Sequence, residues 1–234
     1  MAIGPSAKRV PEYSVRSISV FSSLPDTVIQ RLDSSLISSS RGAGEILYAQ
    51  NEKPCGLYVL FHGKVKMTAV VAGGKTALLR ISRAGDLLGL NAVIAQHPYM
   101  ATARVIKECR LAFIAREDLV SLMMRYSELG LFISQRLAED CAEALTEMLF
   151  LRVTSSSLQR LAMLLLRWSA ANGGRQRRLP VFYTQAEIGQ MIGASRETVT
   201  RLINQLERDG EISFSRSKLK ILNERGMRKI AQMS

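Results

Sequence analysis

The sequence predicts an α+β protein: a small antiparallel β-barrel or jelly roll, a long helix, and a C-terminal helix-turn-helix with a two-stranded wing. Three observations predict it. Between residues 42 and 115, short segments rich in Val, Ile, Leu and Tyr alternate with glycines, the texture of many short strands at close spacing. From 117 to 151 the apolar period becomes helical. Further on, TQAEIGQMIGASRETVTRLINQLERDG sets two short helical patterns on either side of a glycine.

The elements follow in order. Residues 1–20, with Pro5, Pro11 and many serines, read as a loosely ordered lead-in. SSLPDTVIQRLDSSL (22–36) places Leu24, Val28, Ile29, Leu32 and Leu36 on one face of a short helix starting near Pro25. Strands are expected in GEILYA (44–49), GLYVLFHGKVKMTAV (56–70), KTALLRI (75–81), ATARVI (101–106) and CRLAFI (109–114), with a hairpin at Gly73-Gly74. Glycines 44, 56, 63, 85 and 89 fall at strand ends, where a tight turn favours positive φ. A jelly-roll domain over 21–116 follows from this.

Ile133, Leu137, Cys141, Ala144, Met148 and Leu151 then recur at spacings of three and four, with Leu145 and Leu149 beside them. This is a coiled-coil-like seam, and it predicts a dimerisation helix over 117–152. The alternative is a helix packed on its own barrel. VTSSSLQ (153–159) interrupts the pattern and is the hinge candidate opening a third region, 153–234. LQRLAMLLLRWSA (158–170) is a further apolar helix, ended by Asn172-Gly173-Gly174 and followed by the basic loop RQRRLP.

The chemistry lies beyond that loop. Thr184 stands three residues before Glu187, the spacing of a capping box in which hydroxyl and carboxylate each satisfy an orphan backbone group. Ile188, Met191 and Ile192 form the apolar stripe, Gly193 ends the helix, and Ser195 caps the next. In that second helix Val199, Leu202, Ile203 and Leu206 share one face, while Glu197, Thr200, Arg201 and Asn204 share the other and Arg196 borders it. Such a polar face suits base edges in the DNA major groove. Arg offers paired donors to guanine O6 and N7, and Glu accepts from cytosine N4. Arg196, Glu197, Thr200 and Arg201 are therefore the candidate base-reading residues. Thr184, Gln185 and Ser195 at the helix starts, and Arg216 and Lys218 on the wing EISFSRSKLKIL, are the candidates for the phosphate backbone.

Charge agrees with this assignment. The chain carries a net +12, of which residues 152–234 hold +9 and residues 1–151 only +3. A basic domain beside a nearly neutral one suggests a polyanionic partner. No apolar run approaches the ~20 residues of a bilayer span, and the N-terminus lacks the apolar core of a signal peptide. A soluble, cytoplasmic protein without membrane contact is expected. Three scattered cysteines without a CxxC argue against a disulfide framework or a metal or iron–sulfur site. No Ser–His–Asp arrangement, phosphate loop or metal cluster supports an enzyme, and no cofactor is expected.

TQAEIGQMIGASRETVTRLINQLERDGEI resembles the signature of the Crp/Fnr family of transcription regulators, and barrel, long helix and winged helix-turn-helix follow in that family's order. The resemblance implies a cyclic-nucleotide-binding-like jelly roll, a homodimer formed through the long helix, and a palindromic site with TGTGA-like halves. These would be read by residues matching Arg196, Glu197 and Arg201. It also implies double-stranded DNA, a second copy of the chain and RNA polymerase as partners. One part of the pattern is missing. Family members that bind cyclic nucleotides carry a Gly-Glu pair for the ribose and an Arg for the cyclic phosphate. Here, in GDLLGLNAVIAQHPYMATARV, Leu90 follows Gly89, and Tyr99 or Met100 stands where the Arg belongs. A buried phosphodiester without a paired cation costs several kcal/mol by rough estimate. Arg80 and Arg104 are the nearby cations, but nothing in the sequence places them at the site.

The expectation is therefore a regulator independent of cyclic AMP, with an unidentified effector whose pocket would involve Leu88, Gly89, Leu90, Tyr99 and Met100. The alternative is a constitutive DNA-binding repressor or architectural protein whose barrel is only a dimer scaffold. His97, in a loop before Pro98, is a candidate axial haem ligand, and Cys141 on the seam a candidate redox residue. For Cys141, a small apolar packing role is the simpler reading.

Overall fold

A computed structural model describes residues 13–71, 74, 76–153, 156–171, 179–180, 183–215 and 218–232. The chain divides into two compact units, Met1–Cys141 and Ala142–Ser234. The division falls inside the long helix, earlier than the boundary drawn at 153.

The first unit opens with two 3-10 turns, Val15–Ser17 and Ser19–Phe21. Val15, Ile18 and Phe21 are buried, and the Val15 amide donates to Asp33 Oδ1 at 2.9 Å. The stretch 13–20, expected to be loosely ordered, is thus part of the core, anchored by Val15 and Ile18, which the surrounding serines disguise. Helix α1 (Asp26–Ser35) starts after Pro25, as its periodicity predicts, and buries Val28, Ile29 and Leu32.

The strands are β1 (Ile37–Arg41), β2 (Ile46–Tyr48), β3 (Gly56–Val70), β4 (Thr76–Ser82), β5 (Leu87–Leu88) and β6 (Thr102–Ala115). They pair antiparallel in the order β1-β6-β3-β4, with β2 on β6 and β5 on β3. The strand expected at 56–70 has those bounds. The two expected at 101–106 and 109–114 are one continuous strand, because β6 runs the length of β3. Of the five marked glycines, four have positive φ; Gly56 instead lies extended, where a Cβ would fall on the Ile114 carbonyl. Val70 pairs with Thr76, closing a β3–β4 hairpin, although Gly73 itself lies outside the described residues.

A short helix, α2 (Leu90–Ala95), follows β5, and α3 (Arg116–Arg125) follows β6. One core joins the N-terminal turns, α1, α3 and the start of α4 to the sheet; another fills the barrel around Leu60, Val65, Leu88, Ala103 and Leu111. Helix α4 (Ser127–Val153) carries the expected seam, which is not uniform. Ile133 is 3% exposed and Leu137 packs against the same core, so both are committed to their own unit. Here the alternative, packing on the barrel, prevails. Cys141, Ala144, Leu145 and Met148 are exposed, and the side chain of Leu151 lies outside the described residues.

The second unit contains α5 (Ser157–Ala171), β7 (Leu179–Pro180), α6 (Gln185–Ile192), α7 (Arg196–Arg208), β8 (Ile212–Ser215), β9 (Lys218–Ile221) and α8 (Glu224–Gln232). The expected wing is β8–β9, with β7 added as a third strand in the order β7-β9-β8. Its core gathers Leu161, Leu165, Ile188, Ile192, Val199, Ile203, Leu206, Leu219 and Met227. Thr154 and Ser155 of the hinge candidate, the Asn172-Gly173-Gly174 stop and the RQRR loop lie outside the described residues. Ser156 gives part of that serine run a definite task. Its amide donates to Gln159 Oε1 at 2.9 Å and its hydroxyl accepts from the Gln159 amide at 3.2 Å, a capping box for α5. Among the described residues, no helix is long and apolar enough to cross a membrane.

Candidate nucleic-acid interface and sensor cavity

Helix α6 starts with the capping box its sequence predicts: the Thr184 hydroxyl accepts from the Glu187 amide at 3.2 Å, and Glu187 Oε2 accepts from the Thr184 amide at 2.8 Å. It ends at Gly193, whose φ of 63° and ψ of 43° are left-handed and favour glycine there. The Ala194 amide donates back to Gly189 O at 2.8 Å, closing the turn. Gly189 is required for a second reason: a Cβ there would lie 2.5 Å from the Ala194 carbonyl oxygen. Arg160, a residue the sequence did not flag, sends Nε to Ile192 O at 2.6 Å and so ties the end of α6 to α5.

Helix α7 starts at a Ser195 cap whose hydroxyl accepts from the Thr198 amide at 3.1 Å. Val199, Leu202, Ile203 and Leu206 are buried. Opposite them, Arg196, Glu197, Arg201 and Asn204 are exposed along an open groove that also includes Thr200, Glu207 and Arg208. Three of the four candidate base-reading residues therefore present exposed polar heads on one face. Thr200 differs: it is half-buried, with its hydroxyl against Gln185 Oε1 and the Arg196 carbonyl. Through this hydroxyl it links α7 to α6. The hydroxyls of Thr184 and Ser195 are likewise occupied as caps.

The Glu197 carboxyl is held below the usual carboxylate range by its own backbone N–H, the Ser195 hydroxyl and neighbouring Arg196. It is an ionised acceptor at neutral pH, as pairing to a cytosine amino group requires. Glu207 Oε1 accepts from the Phe214 amide at 2.6 Å and fixes the wing to α7. Lys218 is exposed at the start of β9. Arg216 lies outside the described residues.

In the first unit, the expected effector residues separate. Gly89 has φ 87° and caps α2, while Leu90 and Tyr99 are 2% and 3% exposed. The Tyr99 ring stacks on Tyr48 with centroids 3.9 Å apart, and its hydroxyl donates to Gly56 O at 2.6 Å. Burial pushes the Tyr48 and Tyr99 phenols well above their ordinary pKa, so both remain neutral. The space left is about 130 Å³, bordered by Gly89, Leu90, Tyr99, Met100, Arg80 and Asp140 among others. Leu88 does not line it; its side chain sits in the barrel core. Met100 is 70% exposed, so Tyr99 is the inward residue of the pair.

Arg80 does reach the cavity, which the sequence did not place, whereas Arg104 turns away to donate to Gly44 O at 2.9 Å. Asp140, one residue before the seam cysteine, puts a carboxylate beside the same space. His97 keeps Nδ1 2.9 Å from Pro98 O and Nε2 3.1 Å from Asn91 Oδ1, so both ring nitrogens are engaged. Among the described residues, no cluster of His, Cys, Asp and Glu could hold a metal ion.

Comparison with known proteins adds the following. Residues 40–126 match the cyclic nucleotide-binding domain family, and residues 159–230 match the Crp-like helix-turn-helix domain family. A CRP-like cAMP-activated global transcriptional regulator of Mycobacterium tuberculosis is 27% identical over 196 residues, covering 82% of this chain and 87% of that protein. The fumarate and nitrate reduction regulatory protein of Vibrio cholerae is 24% identical, covering 82% and 77%. The structure of FixK2 from Bradyrhizobium japonicum superposes with a TM-score of 0.74 at 18% identity, covering 85% of this chain and 98% of that one, which speaks for the fold.

Proposed function

The chain belongs to the Crp/Fnr family of transcription regulators, and we propose that it acts as a homodimer on a palindromic DNA site with TGTGA-like halves, without cyclic AMP as its signal. The observation that carries the DNA reading is the division of α7. Arg196, Glu197 and Arg201 stand exposed on one face, while four apolar side chains fix the other to the core. Two long donors and one ionised acceptor within six residues suit a short sequence containing G·C pairs.

The dimer is supported by α4. Leu145 and Met148 are 51% and 45% exposed beside Cys141 and Ala144. Large apolar side chains clustered on an exposed helix face favour a partner surface, and an identical helix offers a matching one. Half-sites would then lie about one helical turn apart, ~34 Å. Selection of bound duplexes from a random pool tests both statements. The reading fails if the selected sites carry no inverted repeat or no G·C pairs at fixed positions.

Independence from cyclic AMP is supported by the Tyr48–Tyr99 stack. Ligand pockets generally hold roughly 300 Å³ or more, and the 130 Å³ here would have to take a charged phosphodiester beside Leu90 and Asp140, with Arg80 as a cation on its border. Calorimetry against cyclic AMP and cyclic GMP should be silent. The small cavity also favours a second reading, in which the barrel is a dimer scaffold for constitutive DNA binding. Operator binding measured with and without cell extract distinguishes the two. A stimulus from the extract supports an effector, because only unequal binding to two forms can shift their population.

A further inference from the structure

A second cleft in the first unit has no part in DNA reading and lies apart from the Tyr99 cavity. It holds about 440 Å³ and is formed where Tyr13 and Ser17 approach β3 and β6, between Phe61, His62, Lys107, Glu108 and Arg110.

The strands are contorted at this place. In the β3–β6 ladder the register shifts between Leu60 and His62, between His62 and Lys64, and between Lys64 and Val65. On β6, residues 106–108 are exposed in succession, so inside–outside alternation is lost. Gly63 sits at the centre with φ 98°, and a Cβ there would fall on the Glu108 carbonyl and near the Cys109 sulfur. Beneath it, buried Cys109 places Sγ 3.0 Å from Lys107 O and 3.5 Å from Lys64 O, covering carbonyls that the bulges release. Bulges re-aim side chains and concentrate beside functional sites.

Charge at this bulge is set against stability. Lys64 faces Lys107 across the ladder. Like charges directly opposite destabilise a sheet. The strain shows on Lys64, whose ammonium pKa is lowered to about 8 by partial burial and by Lys107 and Arg83. Beside these cations lie two rings: Tyr13 and Phe61 have centroids 5.6 Å apart, and the Arg110 guanidinium lies 5.3 Å from the Tyr13 centroid. Lys107 and Arg110 outnumber the Glu108 carboxylate here, which favours an anion, and a flat group could rest against the rings. The volume suits a small organic molecule and exceeds the needs of a bare ion.

We propose that this cleft is a binding site for a small organic anion that carries a flat unsaturated ring, with Lys107 and Arg110 holding the charge and Tyr13 and Phe61 the ring. Nucleotides and aromatic acids share that chemistry. The site is independent of the DNA-binding assignment and would survive its failure.

The test is calorimetry on the full chain with four probes: AMP, benzoate, inorganic phosphate and benzyl alcohol. At least one of AMP and benzoate should bind saturably, and inorganic phosphate and benzyl alcohol at least tenfold more weakly. The stronger ring anion identifies the source, nucleotide or aromatic acid. In a Lys107→Ala/Arg110→Ala double variant the binding should weaken tenfold or more. Both side chains are exposed, and relief of the Lys64–Lys107 pair should leave the unfolding temperature unchanged or higher. Tyr13→Ala should weaken the ring-bearing anion alone. The proposal is overturned if neither AMP nor benzoate binds, if binding persists in the double variant, or if phosphate binds as tightly as the ring-bearing anions.

Discussion

Arg201→Ala is the sharpest probe of the DNA-reading face. Arg201 is exposed on α7, and its neighbours Leu202 and Ile203 hold the helix to the core. Its removal opens no cavity, so stability should change by no more than about 0.5 kcal/mol, as for other surface substitutions. Binding should respond differently. A paired Arg–guanine contact gives about 1–3 kcal/mol of discrimination. A palindrome bound by a dimer contains two copies, so the preferred site should lose about 2–6 kcal/mol, roughly 30-fold to 20,000-fold at 1.4 kcal/mol per decade. The assay is fluorescence anisotropy on the selected duplex, on a duplex changed at one symmetric base pair, and on a scrambled duplex, each at several salt concentrations. The variant should become indifferent to the base pair that Arg201 reads, bind the scrambled duplex nearly as before, and keep its salt slope. Lys218→Ala, at the exposed start of β9, should do the opposite. It should weaken all duplexes alike and reduce the slope by about one per phosphate contact. Equal losses on every duplex for both variants would refute the base-reading assignment.

Gly189→Ala forces a Cβ to within 2.5 Å of the Ala194 carbonyl. Moving that turn should cost about 1–3 kcal/mol and weaken DNA binding, both measurable by thermal unfolding and titration; an unchanged protein would show that the turn yields freely. Tyr99→Ala should destabilise the first unit by about 3–5 kcal/mol, as loss of a buried aromatic ring does, and a loss below about 1 kcal/mol would mean that the ring is not part of the core. Lys64 gives a pH signature. Its folded pKa of about 8 lies below the ordinary 10.5, so between those values the unfolded chain binds the extra proton and stability rises with pH. Lys64→Met should flatten that rise in denaturant titrations, and an unaltered profile would remove Lys64 as its source.

The second unit was largely legible in the sequence because its signals are local. A capping box, a left-handed glycine and a helix with a sharp division of faces need only a few neighbouring residues to be recognised, and Thr184, Gly193 and Ser195 occupy the expected conformations. The elements missed there were of another kind. Strand β7 is two residues long, and α8 is so charged that Met227 and Ala231 alone mark its buried side. In the first unit the long strands were legible from their texture, but β1 was not, since ISSSR has no apolar alternation and is a strand only because β6 pairs with it. The pocket residues were recognised by comparison with a motif, which located the loss of Glu and Arg without showing what replaced them. That depends on contacts distant in the chain: Tyr99 against Tyr48 and the carbonyl of Gly56, Arg80 arriving from β4, and Asp140 from α4.

The same distinction separates the two halves of the regulatory problem. A DNA-reading face can be specified by one helix, so it survives in sequence as a compact motif. A signal-sensing site is assembled from several strands and can change its ligand by exchanging two or three side chains, while the barrel that carries them stays the same. The β3–β6 bulge illustrates this at a second place. None of His62, Lys64, Lys107 and Arg110 is unusual in the sequence, and only the antiparallel register sets them opposite one another. A like-charge pair of that kind is removed readily by a single substitution, so its presence at a strained glycine argues for an anion that makes it useful.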